Sequence, residues 1–164
     1  MAFELIVEDG SIVPGANSYA SKEQIDDFLE NEGIVPPTNV YYVASKAAYR
    51  LDGKYSWLGR KVSKIQPMQW PRTGLGPCNI DIAMNVIPPQ LIRAQLYFLA
   101  DILSNETEEG VRGDQALRRK KVGNLEIEFF DSKSGVTGSS SDWITDAREL
   151  VADLIGAMFK TRRV

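Results

Sequence analysis

Residues 88–104 read PPQLIRAQLYFLADILS, and the rest of the fold is organised around this stretch. Leu91, Gln95, Phe98, Leu99, Ile102 and Leu103 recur at the three- and four-residue spacing of one helix face. Pro88-Pro89 stand where a first helical turn has no hydrogen bond to lose. The pattern predicts a helix from about Pro88 to Ser104 whose apolar side needs other elements to cover it.

Three further helices are signalled around it. Ser21 with Gln24 three positions on forms a capping-box pattern, in which hydroxyl and amide satisfy each other's backbone N–H. Ile25, Phe28 and Leu29 supply the stripe, and Gly33 suits the left-handed residue after the end, so a helix is expected at about 21–32. A second follows Pro36-Pro37, with Thr38 as the expected cap and an inner face of Tyr41, Ala44, Ala48, Leu51 and Tyr55, reaching about Gly53. The last begins at Ser141 or Asp142 and carries Ile144, Ala147, Val151, Leu154 and Met158 along one side. Its basic end, Lys160-Thr161-Arg162-Arg163, suits the negative pole of the helix dipole.

Between the helices the periodicity changes. Phe3, Leu5 and Val7, punctuated by Gly10 and Pro14-Gly15, predict a short strand or extended arm with a turn. Residues 56–87 hold Gly59, Pro67, Pro71, Gly74, Gly76 and Pro77 and read as a long surface loop lacking the apolar residues to hold itself. Leu125, Ile127 and Phe129 alternate with Glu126 and Glu128, and Gly123-Asn124 suits a tight turn. A β-hairpin over 118–130 follows, with Arg119 or Lys121 facing Glu126 or Glu128. The Ser/Gly-rich run 131–141 reads as a linker. The fold class expected is mainly α: a bundle of about four helices with a small β-hairpin and a long Pro/Gly-rich loop, in one domain spanning 1–164.

Composition narrows the function. The chain has 164 residues, 43% hydrophobic and 25% charged, with a formal charge of -3. These values suit a soluble globular domain of a size that buries a core without staples. No apolar run approaches the roughly 20 residues of a membrane helix, and the start lacks signal-peptide character. Histidine is absent and Cys78 is the single cysteine, so a disulfide within the chain is impossible, and the commonest general base and metal ligand is missing. Neither Asp26-Asp27 nor Glu106-Glu108-Glu109 has the spacing of a calcium loop, and Gly74-Leu75-Gly76 lacks the lysine of a phosphate loop. The expectation is no enzyme, no metal and no cofactor.

Charge is unevenly distributed. Residues 1–33 carry a balance of -7 and residues 46–72 a balance of +6. Opposite segments of this kind can pair within the fold, pair between copies in a ring or stack, or simply be the solvated faces of separate helices. In the basic segment, Lys54, Arg60, Lys61 and Arg72 interleave with Tyr55, Trp57 and Trp70, the composition of a single-strand binder. Arg118-Arg119-Lys120-Lys121 is a second basic cluster, suited equally to facing phosphates or to an exposed strand edge kept from aggregating by its charge. Against nucleic-acid binding stands the acidic chain as a whole, with an isoelectric point near 5.1. The two tryptophans discriminate: buried they are structural, exposed beside Arg60, Lys61 and Arg72 they can stack bases.

Three stretches together resemble a known family: Val7-Glu8-Asp9-Gly10-Ser11 to Ala16-Asn17-Ser18-Tyr19, Tyr55-Ser56-Trp57-Leu58-Gly59-Arg60-Lys61 to Gln69-Trp70-Pro71-Arg72-Thr73-Gly74, and Ile87-Pro88-Pro89 to Arg93-Ala94-Gln95. They are similar to the tailed-phage proteins labelled DnaT-like single-stranded DNA binding, themselves similar to head-tail connector (adaptor) proteins of lambdoid type. The motif residues of the resemblance are Trp57, Trp70, Pro71, Arg72, Gly74, Pro88 and Pro89. The resemblance implies a structural virion protein made in the host cytoplasm and placed in the viral neck. It would form a ring, commonly of twelve copies, between portal and tail proteins, with genomic double-stranded DNA passing nonspecifically through its channel and no membrane involved. On that reading Trp143, Ile144, Val151, Leu154, Met158, Phe159, Lys160, Arg162 and Arg163 dock on the portal. Arg60, Lys61, Arg72, Arg118, Arg119, Lys120 and Lys121 then face a neighbouring subunit or DNA, and deleting 142–164 spares most of the fold. The alternative is a DnaT-like, single-stranded DNA-binding replication accessory protein.

Overall fold

A computed structural model describes residues 3–74, 82–112, 120–122, 125–127 and 142–156. Its helices are α1 (Lys22–Asn31), α2 (Val40–Lys54), α3 (Pro89–Arg112) and α4 (Asp142–Leu150), the last followed by a short 3-10 turn at Ala152–Leu154. There are two small antiparallel ladders, β1 (Arg60–Lys61) with β2 (Arg72–Thr73) and β3 (Lys120–Val122) with β4 (Leu125–Ile127). The architecture is mainly α with a small hairpin, as the periodicities require.

Helix α3 is the centre. Both α2 and α4 pack on it, and Leu91, Ala94, Leu99 and Ala100 are completely enclosed. Each buried leucine contributes about 1.5–3 kcal/mol relative to exposure. Helix α2 comes close because Ala44, Ala47 and Ala48 line its inner face, all fully buried. The approach is near enough for the Gln95 side chain on α3 to donate to the Ala44 carbonyl of α2 at 3.1 Å. Trp143 of α4 lies against Tyr97 of α3 and Phe28 of α1, with ring centroids 5.3 and 6.2 Å away.

The capping box of α1 forms as expected: Ser21 Oγ accepts from the Gln24 N–H, and Gln24 Oε1 accepts from the Ser21 N–H. Gly33 takes a φ of 67° after its end. Four expectations need correction. Helix α2 is preceded by Asn39 in place of Thr38, with no side-chain cap. Helix α3 runs to Arg112, two turns beyond Ser104; Glu and Arg propagate a helix without an apolar stripe once its first turns are fixed.

The third correction concerns the described part of the 56–87 stretch, where residues 56–74 do not lie free on the surface. Gln66, Met68, Trp70, Pro71 and Arg72 are buried, and the β1–β2 ladder pairs Arg60 with Thr73 and Lys61 with Arg72. Finally, α4 stops at Leu150, short of Met158. The chain there turns to pair with the segment after α2, Leu58 N–H donating to Leu154 O and Gly156 N–H to Ser56 O, at 3.0 and 2.8 Å. These long-range bonds replace those a longer helix would make. The hairpin register puts Lys121 opposite Glu126, one of the expected opposite-charge pairs. Its turn residues, Arg118, Arg119, the 131–141 linker, Cys78 and the tail Met158, Phe159, Lys160, Arg162 and Arg163 lie outside the described residues.

Candidate functional site

The N-terminal arm, the end of α2 and the Trp-Pro-Arg loop converge on two polar side chains. Gln95 of α3, fully buried, accepts from the Tyr19 and Ala20 N–H groups through Oε1 and donates through Nε2 to Ser18 Oγ and the Ala44 carbonyl. The arm itself is turned by Glu8, whose buried carboxylate accepts from the N–H groups of Gly10, Ile12 and Val13. Gly10 has a φ of 104°, and a Cβ there would lie 2.0 Å from the Asn85 carbonyl oxygen, so only glycine fits. Tyr19, placed by this turn, donates its hydroxyl to Asp52 Oδ1 at 2.7 Å and accepts from the Trp70 N–H at 3.2 Å.

Asp52 closes the loop. Its Oδ2 accepts from the Gln69 N–H at 2.9 Å, and its carbonyl accepts from Trp57 Nε1 at 3.1 Å. Burial pushes its pKa up to about 6 against the opposing pull of the Tyr19 hydroxyl and Gln69 N–H. The same burial, with Asp52 alongside, holds Tyr19 well above the usual tyrosine range. Both carboxylate oxygens already accept a hydrogen bond, so the pair works as a clasp between segments.

Arg72 completes that clasp. Its guanidinium donates to the carbonyls of Leu58 (2.7 Å), Gly59 (2.9 Å), Gln69 (3.2 Å) and Trp57 (3.4 Å), and to Gln69 Oε1 at 3.1 Å. Trp70 is 0% exposed and meets Trp57 edge to face at 6.2 Å, while Trp57 continues edge to face into Tyr55. Of the discriminating tryptophans, one is therefore buried and the other half-buried within an aromatic stack. Trp70 and Arg72 face inward, so neither is presented to a strand or a neighbour; Arg60 is exposed and Lys61 half-buried on β1. Gly74 is exposed with a φ of 70°, Pro88 is buried and Pro89 opens α3.

The proposed docking stripe of α4 is also engaged within the chain. Val151 and Leu154 are buried in the core, and Trp143 and Ile144 are half-buried against it. Deleting 142–164 would therefore take Ala147, Val151 and Leu154 out of the core, a cost that the expectation of a mostly spared fold does not include. Lys120 and Lys121 lie on β3.

Two surfaces that the reading by segments missed are helix faces. On α2, the positions opposite the buried stripe are Tyr42, Lys46, Tyr49, Arg50 and Gly53, all exposed, spaced i, i+4, i+7, i+8 and i+11. They form one face with two aromatic rings, two cations and no acid. Lys46 Nζ lies 4.8 Å over the Tyr42 ring, and Phe3 meets Tyr42 edge to face at 5.5 Å. On α1, Glu23, Asp26, Asp27 and Glu30 share an exposed face at i, i+3, i+4 and i+7. Beside it a groove of about 490 Å³ runs between α1 and the start of α3, with Asp27, Phe28, Ile92, Leu96 and Leu150 among its lining. The sequence signal for both faces was the complement of each buried stripe.

Among the described residues no group of three or more metal-ligating side chains could hold an ion, and no helix is long and apolar enough to cross a membrane. No curated protein and no solved structure matches the chain. A family model does match, over residues 3–164. The description it carries names single-stranded DNA binding and makes no mention of a connector. The matched range takes in the arm turned by Glu8, the Asp52 and Arg72 clasp and the three packed helices, and the chain belongs to the family described as "Putative DnaT-like ssDNA binding protein".

Proposed function

We propose that the chain is a non-enzymatic assembly protein, a head-to-tail adaptor that forms a ring between portal and tail and lines the passage for DNA. The observation that carries this reading is the inward closure of the Trp-Pro-Arg loop. The residues that would make that loop a strand-binding platform, Trp70 and Arg72, bind the protein's own backbone and core. A rigid clasped loop and outer faces of opposite charge suit a part that fits against copies and neighbours. A passage for DNA also favours weak, nonspecific contact, because tight phosphate binding would stall movement.

The second reading is a DnaT-like single-stranded DNA-binding accessory protein. The family description favours it directly, and the tyrosines and cations of the α2 face are residue types that such binding uses. One pair of measurements separates the two. The purified protein is mixed with portal and tail particles and followed by sedimentation, and separately titrated with a single-stranded oligonucleotide over a range of salt. Association with the particles and only weak oligonucleotide binding are expected. Tight oligonucleotide binding with a steep salt slope and no association with particles refutes the adaptor and establishes the second reading.

A further inference from the structure

We infer that the Tyr42–Arg50 face of α2 is a docking surface for a second copy of this chain, received by the acidic face of α1 and the groove between α1 and α3. The inference rests on the adaptor reading only in that copies must sit side by side. Its argument is complementarity. The α2 face carries Lys46 and Arg50 with no acid, whereas the α1 face carries Glu23, Asp26, Asp27 and Glu30. Asp26 already accepts from the Tyr41 hydroxyl of α2, which leaves Asp27 and Glu30 as the acids offered outward, so each protomer carries both halves of an opposite-charge pair on different helices, as a head-to-tail contact needs.

Shape follows the same division. Tyr42 and Tyr49 are 43% and 54% exposed, and Phe3 at 41%, in edge-to-face contact with Tyr42, extends their apolar surface. Tyrosine supplies a broad apolar face with a polar tip and is enriched at the centres of interfaces. The groove beside α1 offers a complementary recess whose lining includes the apolar Phe28 and Leu96 and the acidic Asp27. Among the described residues that line the groove Arg93 is the one cation, so Asp27 and the other acids of α1 are the expected contacts of the incoming Lys46 and Arg50. The chain's acidic balance argues for a protein partner at this face over a polyanion.

Charge reversal tests this without disturbing the core, since every altered residue is exposed. Two full-length variants are made, K46E/R50E and D27K/E30K, and their helical content and melting are checked against the wild type. Mass in solution is read by sedimentation velocity and native mass spectrometry at low salt. Wild type is expected to form higher species that dissociate as salt rises, and each variant alone is expected to lose them. Mixing the two variants is expected to restore assembly, because each then supplies the face that the other now complements. Tyr49→Ala is expected to weaken assembly with charge unchanged.

Wild type that stays monomeric, or K46E/R50E that assembles undiminished, overturns the inference. So does a mixture that stays monomeric. Loss of single-stranded oligonucleotide binding in K46E/R50E with assembly intact also overturns it and makes the face a nucleic-acid surface. Portal association of the wild type, measured in parallel, reports on the adaptor reading separately. An assembling protein that ignores the portal refutes the adaptor and leaves the docking face standing.

Discussion

Replacing Arg72 by alanine tests whether the family motif is internal scaffolding or a ligand-binding platform. Among the described residues the guanidinium makes five hydrogen bonds, four of them to backbone carbonyls. The two short ones, to Leu58 and Gly59, are bonds from a charged donor in a buried side chain, each contributing about 1.5 kcal/mol net. The three longer ones add about 1 kcal/mol together, since water can reach part of what they leave. The expected loss is therefore about 4 kcal/mol, or on the order of 10 °C in melting temperature at this chain length. Arg72→Lys, with three donors and no planar fork, is expected to lose about half as much. The assay is thermal unfolding followed by tryptophan fluorescence, because Trp57 and Trp70 sit in the affected segment. An Arg72→Ala protein that melts within about 3 °C of wild type, yet binds oligonucleotide with a shallower salt slope, would refute the internal role and return Arg72 to the phosphate-facing group.

Gln95→Leu keeps the volume but leaves the Tyr19 N–H buried without its acceptor and strips Ser18 and Ala44 of a donor; a loss of about 2–4 kcal/mol is expected in chemical denaturation. Asp52 sets a pH dependence whose sign is unusual for a carboxylate. Because burial raises its pKa in the folded state to about 6 from 3.8, the folded chain holds a proton that the unfolded chain has released between about pH 4 and 6. Stability from this group is complete below that window and is lost as pH rises through it, by up to about 3 kcal/mol. Asp52→Asn is expected to remove that component, so wild-type stability minus variant stability should fall from pH 4 to pH 6; a difference that stays flat or rises contradicts the burial argument.

How much of this could be read in advance depends on the range of the interaction. The capping box at Ser21 and Gln24, the inner alanines of α2, the stripe from Leu91 to Leu103 and the Lys121–Glu126 register all depend on residues a few positions apart, and all appear in the structure. Period and capping chemistry are local, so sequence alone determined the helices, the hairpin and the buried faces. The period places Gln95 on the inner face of α3 but assigns it no partner. Its meaning lies in Tyr19, 76 residues earlier, and no local pattern records that distance.

The Trp-Pro-Arg loop was misread for the same reason. Its prolines and glycines deny it periodicity, and composition cannot tell a cation aimed at solvent from one enclosed by its own backbone carbonyls. Likewise α4 ends early because Leu154 and Gly156 pair with the segment after α2, and the charged faces of α1 and α2 become distinct surfaces only once packing has fixed which side of each helix is covered. Sequence determined which residues want burial and where backbone can turn. The tertiary structure decided which polar groups are consumed inside and which are left to meet a partner, because hydrogen-bond satisfaction and charge complementarity are properties of groups brought together from far apart along the chain.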